Sequence, residues 1–339
     1  MTFRLLLVVA ATLCLYGVAQ GKLQGVVYEP FSPRSTGICL DSGRVAKDLA
    51  AISKVADSIR LRSIATCSES TMAIMKFAKK NGMTVMLGLY ISDSDEDNTS
   101  ELKMLSTILK AYNGKVVAGV VVGDEVTSTS KITDKGVARF INRAKAMIKK
   151  LGMKIPVGTA ETWNILEFSS DLNSTIAASD FLCMNMQPYW GGIPAQCAFP
   201  EDCTETGVFV DQKAAVIAMI HNMEVKICNT GWPTLGEECC GIGREGTLDG
   251  FQAVPNVGAL DAFVSDVHGA TKNSGRTYYI GDAFDAEWKR THVPCEDCLG
   301  LSTEFGCGAK KKKDRECEVA YHFGLHTAEG KLKEIGIPE

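Results

Sequence analysis

Carboxylates recur in this chain at one kind of place, just after a short apolar run. Glu29 follows Gly25–Tyr28, Asp124 and Glu125 follow Val116–Val122, Glu161 follows Ile155–Thr159, and Asp282 and Asp285 follow Thr277–Gly281. After Phe181–Asn185 and Val225–Cys228 the corresponding polar residues are amides, Gln187 and Asn229. Aromatics crowd the same ends: Tyr28, Trp163, Tyr189, Trp190, Trp232 and Trp288. Acids ringed by aromatic rings suit a carbohydrate. The C–H faces of a pyranose pack on aromatic rings, and carboxyl groups can bond hydroxyls or protonate a glycosidic oxygen. Core packing explains any one of these tryptophans equally well, and solvation any one loop acid. Their concentration at strand ends carries the reading.

The elements that position them alternate along the chain. Apolar runs at Gly25–Tyr28, Ser58–Ile64, Thr84–Tyr90, Val116–Val122, Ile155–Thr159, Phe181–Asn185, Val225–Cys228 and Thr277–Gly281 read as eight strands. Segments with apolar residues three and four apart separate them. Val45, Leu49, Ile52 and Val55 form one such stripe, with Ser42 as the expected cap. Leu102, Leu105, Ile108 and Leu109 form another, and Val137, Phe140, Ile141, Ala144 and Ile148 a third. Helices are also expected at Ser70–Lys80, stopping at Asn81-Gly82, and around Gln212–Met223 and Val257–His268. Asp93–Asn98 reads as an acidic loop, and Glu329-Gly330 as a hairpin turn that closes the chain. Eight strands alternating with helices predict a parallel α/β protein, a (β/α)8 TIM barrel, as one domain over residues 22–339. An open doubly wound sheet is the alternative, but no Gly-x-Gly-x-x-Gly follows the first strand. In a barrel, all the polar residues named above lie at the C-terminal face, where such folds place their sites.

Composition sets the surroundings. Net charge is −4 over 339 residues, so no basic field points to nucleic acid. Residues 1–21 read as a secretory signal peptide, with Arg4, the apolar run Leu5–Tyr16 and the small residues Gly17-Val18-Ala19. That run is too short for a membrane span, which needs about 20 residues. Of 13 cysteines, Cys14 lies in this segment, leaving an even number for disulfides that stabilise the loops. Cys295 and Cys298 have zinc-ligand spacing, but export favours disulfides, and no metal or cofactor is expected. Cys239 and Cys240 are adjacent and expected to bond elsewhere, while Cys228 reads as a buried thiol. Asn98-Thr-Ser and Asn173-Ser-Thr are glycosylation sequons.

Thr230-Gly-Trp-Pro233, preceded by Asn229, resembles the Glu-Thr-Gly-Trp-Pro signature of glycoside hydrolase family 17, the β-1,3-glucanases, in its secreted fungal and oomycete-type members. Gly25-Val-Val-Tyr28, Ile59-Arg-Leu61 and Leu87-Gly88 are similar to the same family, as are Gly158-Thr-Ala-Glu-Thr-Trp163 and Asn185-Met-Gln-Pro-Tyr189. Val122-Gly-Asp-Glu-Val126 resembles the family's Gly-Asn-Glu, and Asp282-Ala-Phe-Asp-Ala-Glu-Trp-Lys289 its Glu-Ala-Phe-Asp-x-x-Trp-Lys. The resemblance implies Glu125 as general acid/base. It implies a glucan cleft lined by Tyr28, Asp124, Glu161, Tyr189, Trp190, Trp232, Trp288 and Lys289.

Three positions depart from the family pattern, all at the site. Asp124 stands for Asn, Asn229 for the nucleophilic Glu, and Asp282 for Glu. A retaining glycosidase needs two carboxylates about 5–5.5 Å apart, one of them the nucleophile. Asn229 cannot form the glycosyl ester. Three readings follow: a β-1,3-glucan hydrolase or transglycosylase in which Asp282 or another acid substitutes, a catalytically inactive glucan-binding protein, or a structural wall or matrix protein. The expected partner is β-glucan polysaccharide, and the expected state a secreted monomer, cell-wall associated, without membrane attachment after signal cleavage.

Overall fold

The computed structural model describes residues 21–31, 38–112, 114–127, 132–191, 193, 195, 198, 210–236, 253–286, 289 and 321–338. Its strands are β1 (Val26–Val27), β2 (Ser58–Arg60), β3 (Thr84–Leu89), β4 (Val117–Asp124), β5 (Val157–Thr162), β6 (Leu182–Asn185), β7 (Val225–Thr230) and β8 (Tyr278–Ile280). They pair in parallel in chain order, and β8 closes on β1. The expected (β/α)8 barrel is the observed fold.

The helices are α1 (Ser42–Val55), α2 (Ser68–Asn81), α3 (Asp95–Ala111), α4 (Asp134–Lys150), α5 (Trp163–Phe168), α6 (Asn173–Ala178), α7 (Val210–His221) and α8 (Val257–Ser274). None of the described helices is long and apolar enough to cross a membrane. The stripes read from sequence face inward: Val45, Leu49, Ile52 and Val55 of α1 are buried, as are Val137, Phe140, Ile141, Ala144 and Ile148 of α4. Helix α2 stops where expected, with Gly82 left-handed at φ 69°. The turn at Gly330 brings Leu332 back against His326.

Several local expectations are corrected. The cap of α1 is Asp41, whose carboxylate accepts from the backbone N–H groups of Gly43 and Arg44, and Ser42 is already helical. The acidic run reads as a loop but forms the first turn of α3 beyond its cap Ser94, where carboxylates complement the helix dipole. Asn98 belongs to that turn. Its side chain is buried, donating to the Ser92 carbonyl and accepting the Ser92 N–H, so its sequon offers no free amide at the surface. Asn173, the other sequon, is exposed. The short helices α5 and α6 carry too few turns to show a period and were not expected.

Two apolar layers hold the barrel. The larger lies between strands and helices. The smaller gathers Val27, Met86, Val121, Ala160, Phe181, Cys183, Cys228 and Tyr279, side chains from opposite strands that meet only inside the barrel. Cys228 is not a thiol. It forms a disulfide with Cys183, whose strand lies beside it. A second disulfide joins Cys39 to Cys67 at the entrance of α2. The remaining cysteines, including Cys14, Cys239, Cys240, Cys295 and Cys298, lie outside the described residues, as do residues 1–20, where a signal peptide is expected.

Candidate active site

The C-terminal ends of β1, β2, β4 and β6 deliver one charged cluster. Arg60, on β2, is fully buried inside the barrel, and a charge there requires partners. Its Nη2 donates to Asp124 Oδ2 at 2.9 Å and its Nη1 to the Cys228 carbonyl at 3.0 Å. Arg62 lies 3.6 Å from Glu29 Oε1 and 3.5 Å from Asp124 Oδ2. Burial works against the Arg62 charge, but Glu29, Asp124, Asp282 and Glu125 together raise its pKa above the ordinary value. Asn185, at the end of β6, donates from Nδ2 to Asp124 Oδ1 at 2.6 Å and to Glu125 Oε1 at 2.8 Å.

Glu125 sits just past β4 with φ 57°, a left-handed backbone uncommon for a residue with a side chain. Gly123, also left-handed at φ 78°, precedes it. The Glu125 N–H is tied to the Ala160 carbonyl at 2.9 Å, which holds this turn against β5. Burial pushes the Glu125 carboxyl pKa up and the adjacent Asp124 charge adds to the rise, against the Asn185 hydrogen bond and the two arginines. A carboxyl in this state suits proton donation.

Glu161 was expected to touch substrate, but it is fully buried. Its Oε1 accepts the Thr127 N–H at 2.8 Å, bracing the turn after Glu125, and its Oε2 has no hydrogen-bond partner. Burial raises its pKa, with Glu125 and Asp124 adding to the effect.

At the end of β7, Asn229 is nearly buried, and its Oδ1 accepts no hydrogen bond. Its side chain lies against β8: a Cβ at Gly281 would come within 2.0 Å of that oxygen. The Thr-Gly-Trp-Pro turn has a similar basis. A Cβ at Gly231 would meet the Gly281 carbonyl oxygen at 2.1 Å, so only glycine permits the approach of β7 and β8. Asp282 is paired with Lys289, seven residues further along the segment that follows β8. Asp285 serves the closing segment instead, accepting from Lys333 at 2.7 Å and from the Gly324 N–H at 3.0 Å.

The aromatic expectations divide. Tyr28 is buried and its hydroxyl donates to Asp48 at 2.9 Å. Trp232 is fully buried, edge-on to Tyr189 and tilted against Phe263, with its indole N–H donating to the Val254 carbonyl. Tyr189 is buried between Trp190, Trp232 and Phe323. All three rings belong to the apolar layer between strands and helices. Trp190 keeps exposed surface, stacked on Phe323 and bonded through Nε1 to Gln187. Trp288 lies outside the described residues. A pocket beside the cluster is lined by Tyr28, Glu29, Arg44, Asp48, Asp282 and Phe284.

Sequence reasoning missed Arg60, Arg62 and the bridging amide of Asn185. The signal was present: two arginines inside an apolar strand run must face a buried carboxylate.

The fold is a closed (β/α)8 barrel whose C-terminal mouth sets the carboxylates of Asp124 and Glu125 beside the amide of Asn185. Residues 25–300 match the model of the BtgE/BtgC glycoside hydrolase domain, and the chain belongs to that family. The putative glucan endo-1,3-beta-glucosidase btgC of Aspergillus niger is 25% identical over 279 residues, covering 78% of this chain and 39% of that protein. The chain therefore spans about two fifths of the length of such relatives. Two solved structures share its fold. The glycoside hydrolase family 17 β-1,3-glucanosyltransferase of Rhizomucor miehei aligns with TM-score 0.66 at 20% identity, over 93% of this chain and 97% of that one. An endo-laminarinase of Formosa aligns with TM-score 0.69 at 16% identity, over 94% and 86%.

Proposed function

We propose that this chain is a secreted β-1,3-glucan-binding member of its family whose cleft does not cleave glucan by double displacement. One observation carries the reading: the β7 end presents the neutral, buried Asn229 at the position to which the family resemblance assigns the nucleophilic carboxylate. The neighbouring acids are engaged. Asp124 is held by Arg60 and Asn185, and Asp282 by Lys289. Loss of a nucleophile in other hydrolases lowers kcat by several orders of magnitude. The names of the relatives supply the ligand class, β-1,3-glucan.

Binding has its own support. Trp190 is partly exposed, and Glu29 and Asp282 line a pocket beside the charged cluster with Tyr28 and Phe284. Secretion is supported by the disulfides and by the leader-like residues 1–21.

A second reading has one specific observation behind it. The raised Glu125 pKa suits a general acid, and Asp282, among the acids acting on Arg62, is the substitute carboxylate. In that reading the chain hydrolyses or transfers glucan, with Glu125 as acid.

The test is incubation of the protein with laminarin, reading reducing ends and pull-down together. The binding reading expects retention on laminarin without new reducing ends, and turnover appearing only in Asn229→Glu. Wild-type hydrolysis lost in Glu125→Gln overturns it in favour of the second reading. Failure to bind laminarin overturns both.

A further inference from the structure

We infer that the Cys183–Cys228 disulfide is a positioning device: it holds a bulge in β7 beside Asn185, the amide that donates to the Asp124–Glu125 pair, and sets the face on which Asn229 stands. The disulfide lies inside the barrel, and both cysteines are fully buried. Along β6, Phe181 and Cys183 face the interior, and strand alternation puts Asn185 on the same side. Along β7 the same alternation would turn Asn229 away from the interior, because Cys228 already faces in. The pairing register resolves this. Met184 pairs with Ile227, but Asn185 pairs with Asn229, so Cys228 is an extra residue between them. The extra residue returns Asn229 to the face of Asn185.

Two contacts meet at this bulge, and a third ties its β6 neighbour Asn185 to the acids. The disulfide ties it to β6, two residues before Asn185. Arg60 donates to the Cys228 carbonyl while also holding Asp124. Asn185 donates to both Asp124 and Glu125. A bulge leaves its extra residue outside the ladder and free to slip. The covalent link removes that freedom, and Asn229 has little room for it, given its closeness to Gly281. The Cys39–Cys67 disulfide, between a loop and the start of α2, is not part of the Asn185–Asp124–Glu125 hydrogen-bond set and serves as the control for the titration; Cys39 pairs with Phe31 at the pocket, so it is no control for affinity.

The experiment compares Cys183→Ala/Cys228→Ala with Cys39→Ala/Cys67→Ala. Three quantities are read: the melting temperature, the titration midpoint of the Glu125 carboxyl by carbon NMR (assigned with Glu125→Gln), and laminarihexaose affinity. Losing the interior disulfide loosens the Asn185 donor that favours ionised Glu125. Its midpoint is therefore expected to rise by at least about half a pH unit, and affinity to fall by about tenfold. The control pair is expected to lower the melting temperature and leave the Glu125 midpoint unchanged. Asn185→Ala, which leaves both disulfides intact, is expected to reproduce the midpoint rise. A Glu125 midpoint unchanged in Cys183→Ala/Cys228→Ala, or in Asn185→Ala should the cysteine variant not fold, overturns the inference. The affinity arm rests on the glucan-binding reading, and the titration arm does not. Wild-type protein that fails to bind laminarihexaose therefore sinks that reading and leaves the midpoint to decide the role of the disulfide.

Discussion

The two halves of the barrel mouth are built from different chemistry. From β1 to β4 the mouth is ionic: Glu29, Arg60, Arg62, Asp124 and Glu125 hold one another at short range. From β6 to β7 it is made of neutral amides, Asn185 and Asn229, above a disulfide. A double-displacement site needs charge on both sides, because acid and nucleophile face each other across the bond that breaks. Here the second negative charge stands next to Glu125 on the same strand, as Asp124. That position can keep Glu125 protonated, but it cannot supply attack from the opposite side. Charge adjacent to an acid and charge opposite to it are thus separable properties of one site.

The sharpest way to break this comparison is to remove the cation of the ionic half. Arg60→Ala strands Asp124 beside Glu125 without its closest charge partner. Breaking a buried pair costs about 3–5 kcal/mol. Urea denaturation is expected to show a loss of that order at pH 7, and a loss below about 1 kcal/mol would mean that water already solvates Asp124.

A pH effect of the next size belongs to the same half. Glu101 of α3 is buried, accepting from the Ser63 hydroxyl and from the N–H groups of Ile64 and Ala65, in the loop that follows Arg62. Burial pushes its carboxyl up to about 7, above its ordinary 4.5, against those hydrogen bonds. The folded state therefore binds this proton more tightly than the unfolded chain. The stability it contributes is full below about pH 4.5 and is lost as pH rises through about 7, on the order of 3 kcal/mol in all. Glu101→Gln, which does not titrate, is expected to flatten the stability profile between pH 5 and pH 8. An unchanged slope in that variant would assign the pH dependence to other groups.

The smallest effect is expected in the amide half. Asn229→Ala removes an oxygen that accepts no hydrogen bond, so the loss should stay within about 1 kcal/mol by the same denaturation measurement. A loss as large as that of Arg60→Ala would erase the contrast between the halves and make Asn229 a structural anchor.

Much of this was legible in the chain. Eight apolar runs separated by stripes of period 3.6 predict the closed barrel, and Asp124, Glu125, Asn229 and Asp282 all fall at the C-terminal ends of its strands. What residue type leaves open is burial and partner. Trp232, Tyr189 and Tyr28 have the residue type of a sugar platform, but type does not reveal which face of a ring is covered. Glu161 has the type of a ligand contact, yet its carboxylate braces the turn after Glu125. Cys228 carries no mark of its partner, since residues 45 apart in sequence meet only when β6 and β7 lie side by side.

The sequence by itself determined the barrel, the strand ends and the chemical identity of position 229, because periodicity and residue type are local properties. Only the tertiary structure decided which acids are paired, which rings are packed into the core, and which way Asn229 faces. Those depend on register between strands, on burial and on contacts across the barrel, and a single extra residue in β7 is enough to change them.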